Sequence, residues 1–433
     1  MSRIKMVYIG AGSTRAPGTI ASVVQRHEQF SGSEIALVDP DREHLSVTKQ
    51  LGDNLAKHLG ADVSVTIPPD QRAALEDADI VLASFRPGGF EARVLDETVP
   101  LKYDCIGEET QGPGGFFMAL RSINAFKSIV DDIAAVAPKA RIVNFTNPVN
   151  IVAQAVSDHT DIPVVSLCEG PMVCPESTIR AAGLDPERAE TFSVGLNHGS
   201  WSVVNRYDGQ DNLIDLIRES WQERAQDPTM GWTDRKILQL TAMTGLLPSH
   251  YFQYYYFERE MVSMMKAKPQ SRGADLLEHT PTFWEHYKEE AAKEVPQLDP
   301  ERSRGAIYEL DFALDVVDSI VNDRGRRFAV NAPNNGSVPG FDDDLVMETE
   351  GTVDKDWVHT VRSPELPRRV RGLVEKLAEY QRLTAEAAWS GDRRDGINAL
   401  LSHPLVRELD TAEQMYDEMA GRLGDLLPDR LRR

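Results

Sequence analysis

The sequence predicts an α/β protein, with a doubly wound parallel sheet in its first half and a mainly helical α+β domain in its second half. Short apolar segments alternate with amphipathic helices up to about residue 190, a pattern typical of a parallel sheet covered by helices on both faces. Beyond that point the sequence is mostly helical. We therefore expect two domains, residues 1–190 and residues 191–433.

Six segments are predicted as strands of the parallel sheet because each is a short apolar run bounded by polar or turn-forming residues: 4–9, 35–38, 63–67, 79–84, 141–145 and 164–167. Long helices are predicted between them at 41–59 and 114–136. In the second half we expect two antiparallel strands at 191–194 and 201–207 and helical sequence to residue 319. A polar loop at 331–341, a short strand at 345–350 and a charged helix at 366–389 should follow.

Composition limits the classes of partner. The 433 residues include only three cysteines, an odd and sparse set that fits a reducing compartment better than a disulfide framework. The first residues lead straight into a strand and no apolar run reaches membrane-spanning length, so we expect a cytoplasmic protein. A net charge of −21 should repel nucleic acid and anionic lipid. An anionic small-molecule substrate would need a local positive pocket.

A glycine-rich turn after the first strand predicts a dinucleotide site. Gly10 and Gly12, followed by Ser13 and Thr14, would let the backbone approach a pyrophosphate, and Asp39 at the end of the second strand could accept both ribose hydroxyls. This is the Rossmann pattern, and the charge of Asp39 favours NAD over NADP. Arg15 occupies the place of the third glycine, so an ordinary glycine-rich turn is the alternative.

Asn147 lies in a Thr-Asn-Pro segment at the end of a predicted strand. Ligands bind at this edge of open α/β sheets, so its side chain could reach the nicotinamide ribose and the substrate. The alternative is a simple strand-ending turn. The same segment occurs in lactate and malate dehydrogenases, which makes a hydroxy-acid dehydrogenase a competing hypothesis. The large helical second half argues against it.

Cys168 follows another predicted strand, and His198 lies in a polar loop thirty residues later. Thiolate and imidazole could converge on one divalent metal ion whose open positions are filled by substrate hydroxyls. The alternative is a small buried cysteine and an ordinary loop histidine.

An aromatic run follows Pro248, and three of its phenols share a helical face: Tyr251, Tyr254 and Tyr255. One phenol could act as a base if a metal or cation lowered its pKa. The alternative is a core or subunit-interface stripe.

Taken together, the motifs from residue 4 to about 350 resemble the NAD-dependent glycosidases of glycoside hydrolase family 4 and their relatives that act on sulfoquinovosides. The resemblance is carried by the glycine turn, the Thr-Asn-Pro segment, Cys168, Asn197-His198, Pro248-x-x-Tyr251 and three longer stretches: Phe85–Arg93, Gly107–Gly115 and Ser303–Tyr308. The Gly107–Gly115 stretch is the most specific of them.

This resemblance implies a lactate/malate dehydrogenase-like fold and a mechanism outside the two-carboxylate scheme of most glycosidases. NAD oxidises C3 of the sugar, a base removes the C2 proton, the aglycone leaves by elimination, water adds, and C3 is reduced again. It implies manganese on Cys168 and His198, with Tyr251 as base and Glu169 protonating the leaving oxygen. It implies NAD contacts from Gly10, Gly12, Ser13, Thr14, Asp39, Ser84 and Asn147. Sugar contacts are implied for Arg86, Arg93, Glu108, Asn147, Asn197 and Arg304.

Three departures from the family pattern bear on specificity. Glu169 replaces the usual Asn or Asp after the cysteine and favours α-glycosides; Arg15 and Gly199 replace bulkier or aromatic residues and should add charge and space near the sugar. The arginines predict an anion at C6, either a sulfonate or a phosphate. The alternative is that they pair with Glu91, Asp96 or Glu108. We expect a homodimer or homotetramer.

Overall fold

The computed structural model describes residues 3–304 and 310–433. Gly305, Ala306 and Tyr308 of the predicted Ser-Arg-Gly-Ala-x-Tyr motif lie outside the described residues. The strands are β1 (Lys5–Ile9), β2 (Ser33–Val38), β3 (Val63–Thr66), β4 (Ile80–Ala83), β5 (Arg141–Asn144), β6 (Val164–Ser166), β7 (Ala189–Leu196), β8 (Gly199–Tyr207), β9 (Leu247–Pro248), β10 (Arg326–Pro333), β11 (Val346–Asp354) and β12 (Trp357–Thr360).

The α-helices of the first half are α1 (Ala16–Gln25), α2 (Arg42–Leu59), α3 (Gln71–Leu75), α4 (Gly89–Lys102), α5 (Gly112–Val136), α6 (Val149–His159) and α7 (Gly170–Ala181). Those of the second half are α8 (Leu213–Arg224), α9 (Trp232–Thr244), α10 (Gln253–Tyr256), α11 (Glu258–Ala267), α12 (Arg272–Ala291), α13 (Asp311–Val321), α14 (Arg368–Trp389), α15 (Arg393–Ser402), α16 (Leu409–Leu423) and α17 (Asp429–Arg432).

One mixed sheet carries the fold. Its order is β3-β2-β1-β4-β5-β6-β10-β11-β7-β8-β9, and β12 pairs with β11. The strands from β3 to β6 run parallel, with β1 at the point where the order reverses. From β10 onward the strands pair antiparallel. The predicted Rossmann-like parallel sheet with a helix-rich second half is therefore confirmed.

Alternating residues of the parallel strands feed two separate hydrophobic layers. Val7 and Val81 pack in a cluster with residues of α5, α6 and α14, whereas Tyr8 and Leu82 pack in a second cluster with α1, α2 and α13. Helices thus cover both faces, as a parallel sheet requires.

No helix within residues 3–304 and 310–433 is both long and apolar enough to cross a membrane.

The structure differs from the prediction in the second half. Residues 331–333, expected in a loop, end strand β10, where buried Asn331 pairs with Ser166 of β6. Strand β11 continues four residues past the predicted end, to Asp354, and three helices follow Trp389. A division at residue 190 stays a prediction, since strands from both sides of it share one sheet.

Candidate active site

The parallel strands deliver four predicted site residues to one edge of the sheet. Gly10 follows β1, Ser84 follows β4, Asn147 lies shortly after β5 and Cys168 shortly after β6. These strands are neighbours in the order β1-β4-β5-β6. Their carboxyl ends therefore place residues far apart in sequence beside each other, next to the point where the strand order reverses.

The glycine turn has no room for side chains. Gly10 has a φ of 97°, and a Cβ there would lie 2.1 Å from the carbonyl oxygen of Ser84. At Gly12 a Cβ would lie 2.5 Å from the carboxyl group of Asp39. Gly12 is therefore needed to let Asp39 approach the turn, apart from any space that a ligand requires there.

A cleft of about 870 Å³ runs along this edge. It is lined by all the residues predicted to contact NAD: Gly10, Gly12, Ser13, Thr14, Asp39, Ser84 and Asn147. Arg86 and Arg304 also line it. Burial raises the pKa of Asp39, whose Oδ1 accepts a hydrogen bond of 2.9 Å from the Asp41 backbone.

Cys168 and His198 converge beside this edge, although neither lines the cleft. The Cys168 Sγ lies 3.6 Å from His198 Nε2 and accepts a hydrogen bond from the Gly170 backbone. His198 occupies the two-residue turn between β7 and β8 with a φ of 61°, an uncommon conformation for a residue other than glycine. Burial lowers the pKa of His198 to about 3 and raises that of Cys168 to about 12.

The separation of these two atoms fits a metal ion. Metal–sulfur and metal–nitrogen bonds of about 2.3 and 2.1 Å together exceed the 3.6 Å gap, so both atoms could hold one ion. The neutral imidazole is the ligand form of histidine, and a metal would deprotonate the thiol. No cluster of three or more potential ligands occurs in the described part of the chain, so these two side chains leave open positions for other ligands.

A hydrogen-bond web from the Gly107–Gly115 stretch reaches His198. The Thr110 hydroxyl lies 2.9 Å from His198 Nδ1 and 2.8 Å from Glu108 Oε2. The same carboxylate oxygen accepts bonds from the backbone of Thr110 and Gln111, at 2.6 and 2.7 Å. Burial and the neighbouring Glu109 raise the pKa of Glu108 to about 7. The web thus connects the predicted sugar contact Glu108 to the predicted metal ligand.

The predicted arginines gather around Glu109. Arg86 pairs with Glu109 through Nη2, and Arg93 Nη1 lies 3.0 Å from the other carboxylate oxygen. Burial opposes ionisation of Glu109, but Arg86, Arg93, Arg15 and Arg304 outweigh it and lower its pKa. Arg86 and Arg93 are thus paired with carboxylates, as the alternative expects, but their partners are Glu109 and Glu97 and not Glu91, Asp96 or Glu108.

Two family models match most of the chain. The family 4 glycosyl hydrolase model covers residues 5–184, and the model of the family 4 C-terminal domain covers residues 193–406. The chain belongs to this family. It is 32% identical over 429 residues to a probable 6-phospho-beta-glucosidase of Bacillus subtilis. The aligned region covers 96% of this chain and 95% of that protein.

Solved structures agree with this membership. The 6-phospho-beta-glucosidase of Thermotoga maritima, solved with manganese, NAD+ and glucose-6-phosphate, is 26% identical, with a TM-score of 0.84 over 98% of this chain and 99% of that one. Malate dehydrogenase of Plasmodium falciparum shares the fold alone, at 11% identity and a TM-score of 0.53 over 89% of this chain and 100% of that one. The dehydrogenase hypothesis thus had the fold right and the family wrong.

Within this family 4 site, Tyr251 lies against a predicted metal ligand. Its ring stacks on His198 with centroids 3.5 Å apart and planes 5° apart. Burial, then Glu108 and Cys168, raise the pKa of Tyr251 well above 10, so a base role requires a nearby cation. The Tyr255 hydroxyl is instead bonded to the Gln111 side chain, and Tyr254 meets Tyr251 edge to face.

Sequence reasoning missed Glu348. This carboxylate on β11 is 1% exposed and accepts a 2.8 Å hydrogen bond from Asn197 Nδ2. Burial raises its pKa to about 7. Asn197, predicted to hold a sugar hydroxyl, therefore also connects the His198 turn to β11. A lone Glu in an alternating strand gives no sequence signal of such a contact.

The departures from the family pattern occupy different places. Glu169 directly follows Cys168 and precedes α7, where its side chain makes no capping bond. A Cβ on Gly199 would lie 3.4 Å from Leu377 of α14, so the space opened there faces a helix of the core. That Gly199 opens space for the sugar stays a prediction.

Proposed function

We propose that this family 4 enzyme hydrolyses 6-phosphoglucosides, using NAD as a catalytic redox cofactor and a divalent metal, manganese by preference. The observation that carries the proposal is the group of arginines around Glu109, of which Arg15, Arg86 and Arg304 line the cleft. Family membership and the names of the relatives, which are 6-phospho-glucosidases of both anomeric types, support it. The Thermotoga relative binds the same three ligands.

Each ligand has residues to receive it. The glycine turn, with Ser13 and Thr14 at the start of α1, would hold the pyrophosphate, and Asp39 would accept the ribose hydroxyls. Cys168 and His198 would hold the metal. When bound, NAD supplies reversible oxidation of C3, and the metal polarises sugar oxygens as a Lewis acid.

The chain's own residues supply the proton transfers and the sugar contacts. Tyr251 would take the C2 proton, because its ring lies flat on His198 and therefore next to any cation that His198 binds. Glu169 would protonate the leaving oxygen. Arg86 and Arg304, which both line the cleft, would bind the C6 anion, with Asn147 at the sugar.

A sulfoquinovoside is the second candidate, because Arg15 departs from the family pattern at a position in the cleft. Arg15 lines the cleft, and its charge acts on Glu109. A fourth guanidinium could serve a sulfonate as well as a phosphate, since both present acceptor oxygens to a planar fork. The relatives favour phosphate.

The test is a matched panel of p-nitrophenyl glucosides bearing 6-phospho, 6-sulfo or 6-hydroxy groups, as α and β anomers. We expect turnover that requires NAD without accumulating NADH, and a preference for 6-phospho. A 6-sulfo preference above roughly tenfold, about 1.4 kcal/mol, would replace phosphate by sulfonate. A preference above roughly tenfold for the β anomer would refute the expectation that Glu169 favours α-glycosides.

Two variants, assayed on the same panel of glucosides, test whether the arginines bind the C6 anion. Arg304→Ala should lower kcat/KM for charged sugars by about 30- to 150-fold, corresponding to a lost charge-assisted bond of about 2–3 kcal/mol, and leave the 6-hydroxy sugar within threefold. Arg206→Ala is the control, because Arg206 pairs with Asp211 on the exposed side of β8. Equal kcat/KM for charged and neutral sugars in the wild type would overturn the anion site.

The cytoplasmic setting and the homo-oligomeric state remain predictions. The three free cysteines, Cys105, Cys168 and Cys174, support a reducing setting.

A further inference from the structure

Thr110 stands between a carboxylate and a predicted metal ligand. It is 5% exposed, in the segment just before α5. Its hydroxyl reaches Glu108 Oε2 at 2.8 Å and His198 Nδ1 at 2.9 Å. A hydroxyl carries a single proton, so it can donate to only one of these two atoms.

The direction of the two bonds follows from the other partners of Glu108. Its Oε2 already accepts two backbone N–H bonds, from Thr110 at 2.6 Å and Gln111 at 2.7 Å. Backbone N–H groups only donate, which makes this oxygen an acceptor. The Thr110 hydroxyl therefore donates to Glu108 and accepts from His198, and the imidazole proton lies on Nδ1.

The opposite ring nitrogen supports this direction. With the proton on Nδ1, Nε2 carries a lone pair and faces Cys168 Sγ at 3.6 Å. The sulfur accepts from the Gly170 backbone at 3.4 Å, which leaves the thiol proton for Nε2. The Nδ1–H tautomer of His198 therefore accounts for both its contact with Thr110 and its contact with Cys168.

We propose that Thr110 is a positioning residue that fixes His198 in the Nδ1–H tautomer, with the Nε2 lone pair directed at the metal position beside Cys168. Glu108 acts through Thr110 by orienting its hydroxyl. The left-handed backbone of His198 and its stack on Tyr251 hold the ring plane, but neither selects a tautomer. The inference rests on the metal role of Cys168 and His198 in the proposed function.

Thr110→Val tests the proposal, because valine keeps the shape and the backbone N–H but removes the hydroxyl. Loss of such a partner typically weakens metal affinity by 10- to 100-fold. We expect Mn²⁺ titration of the full chain, followed by electron paramagnetic resonance of free Mn²⁺, to show at least a tenfold weaker Kd. Thr110→Ser should bind within threefold of the wild type.

Thr178→Val is the matched control. Thr178 is also buried, and its hydroxyl contacts another histidine, His250 Nε2, at 3.1 Å. This variant should keep Mn²⁺ affinity within threefold, as all three variants should keep NAD affinity. An unchanged Mn²⁺ Kd in Thr110→Val, or equal losses in Thr110→Val and Thr110→Ser, would overturn the proposal.

A direct readout is the ¹⁵N spectrum of histidine-labelled, metal-free protein, assigned by comparison with His198→Gln. The expected wild-type pattern places the His198 proton on Nδ1, and Thr110→Val should lose or mix that pattern. A proton on Nε2 in the wild type would overturn the proposal. Absence of Mn²⁺ binding in the wild type would instead refute the metal part of the proposed function, while the ¹⁵N spectrum still decides the tautomer.

Discussion

Replacing Asp39 by asparagine should weaken NAD binding while preserving the fold. The Asp39 carboxyl lies at the end of β2 within the cleft, so close to the turn that a Cβ on Gly12 would come within 2.5 Å of it. An asparagine at this position would keep the side-chain shape and a carbonyl oxygen that can still accept from the Asp41 backbone. What the substitution removes is the charged acceptor for the ribose hydroxyls.

The magnitude follows from the loss of a charge-assisted bond. A hydrogen bond to a charged group contributes about 1.5–3 kcal/mol, which corresponds to roughly a 10- to 150-fold rise in the NAD dissociation constant. Burial raises the pKa of Asp39, so this carboxyl is desolvated before the ligand arrives. That prior desolvation places the expected loss in the upper half of the range. NADP should lose less, because its 2′-phosphate is repelled by the native carboxylate.

Calorimetric titration with NAD and NADP is the assay, and Asp41→Asn is the control. Asp41 lines the same cleft, but its carboxylate is engaged in capping α2 through the His44 backbone at 3.0 Å. We expect Asp41→Asn to cost little stability, because asparagine caps helices about as well as aspartate, and little NAD affinity. A NAD dissociation constant within threefold of the wild type in Asp39→Asn would show that Asp39 merely ends a strand.

Three further predictions concern other parts of the chain. Tyr251→Phe should keep NAD affinity but lose about 10²- to 10⁴-fold in turnover. Tyr255→Phe should keep turnover within tenfold of the wild type, because the Tyr255 hydroxyl is bonded to Gln111. Normal turnover of Tyr251→Phe, together with no loss of C2 deuterium from substrate in the wild type, would exclude Tyr251 as the base. Glu348 has a folded pKa raised to about 7, so its contribution to stability is present below about pH 4.5 and is lost as the pH rises through 7. Measured by urea unfolding across that range, the free energy of unfolding of the wild type should fall by about 3 kcal/mol relative to that of Glu348→Gln. A difference between the two proteins that does not change with pH would contradict the prediction. Asp96→Asn should cost about 3–5 kcal/mol in the same assay because Arg121, its buried partner at 2.6 Å, would keep an uncompensated charge; a loss below 1 kcal/mol would mean that water reaches the pair.

The sequence predicted the first half of the fold well because the physical signals there are local. The inner parallel strands are short apolar runs buried on both faces, whereas the edge strand β3 alternates and exposes Ser64. Strand β10 was missed because it carries Asn331 and Pro333, which are typical of turns. In the folded chain Asn331 is buried beside Glu348, a contact between residues of two strands that no local pattern records.

The site residues likewise fall into those that a local sequence pattern predicts and those that it does not. Residues that follow strands or glycines were predictable, and all the expected cofactor contacts line one cleft. The pairing of Arg86 and Arg93 with Glu109 was not predictable, because their segment and the Gly107–Gly115 stretch meet only in three dimensions. Sequence proximity pointed to Glu91 and Asp96, whereas the fold brings Glu109 to Arg86 and Arg93.

Glu109 explains how a chain with a net charge of −21 can receive an anion. Arg86, Arg93, Arg15 and Arg304 all act on Glu109 and lower its pKa, so four guanidinium groups lie within electrostatic reach of one carboxylate. A phosphate monoester near −2 should gain more from this concentration of positive charge than a sulfonate at −1.

The ionisation of Glu108 should make this preference depend on pH. Its pKa of about 7 means that the carboxyl gains a negative charge as the pH rises, which weakens the positive potential that the arginines create around the anion. A phosphate monoester loses its second proton near pH 6, so the preference for phosphate over sulfonate should be greatest between about pH 6 and 7 and decline above that range. The ratio of kcat/KM for matched 6-phospho and 6-sulfo glucosides, measured from pH 6 to 9, checks this. A ratio that stays level or rises above pH 7 would show that Glu108 does not act on the bound anion.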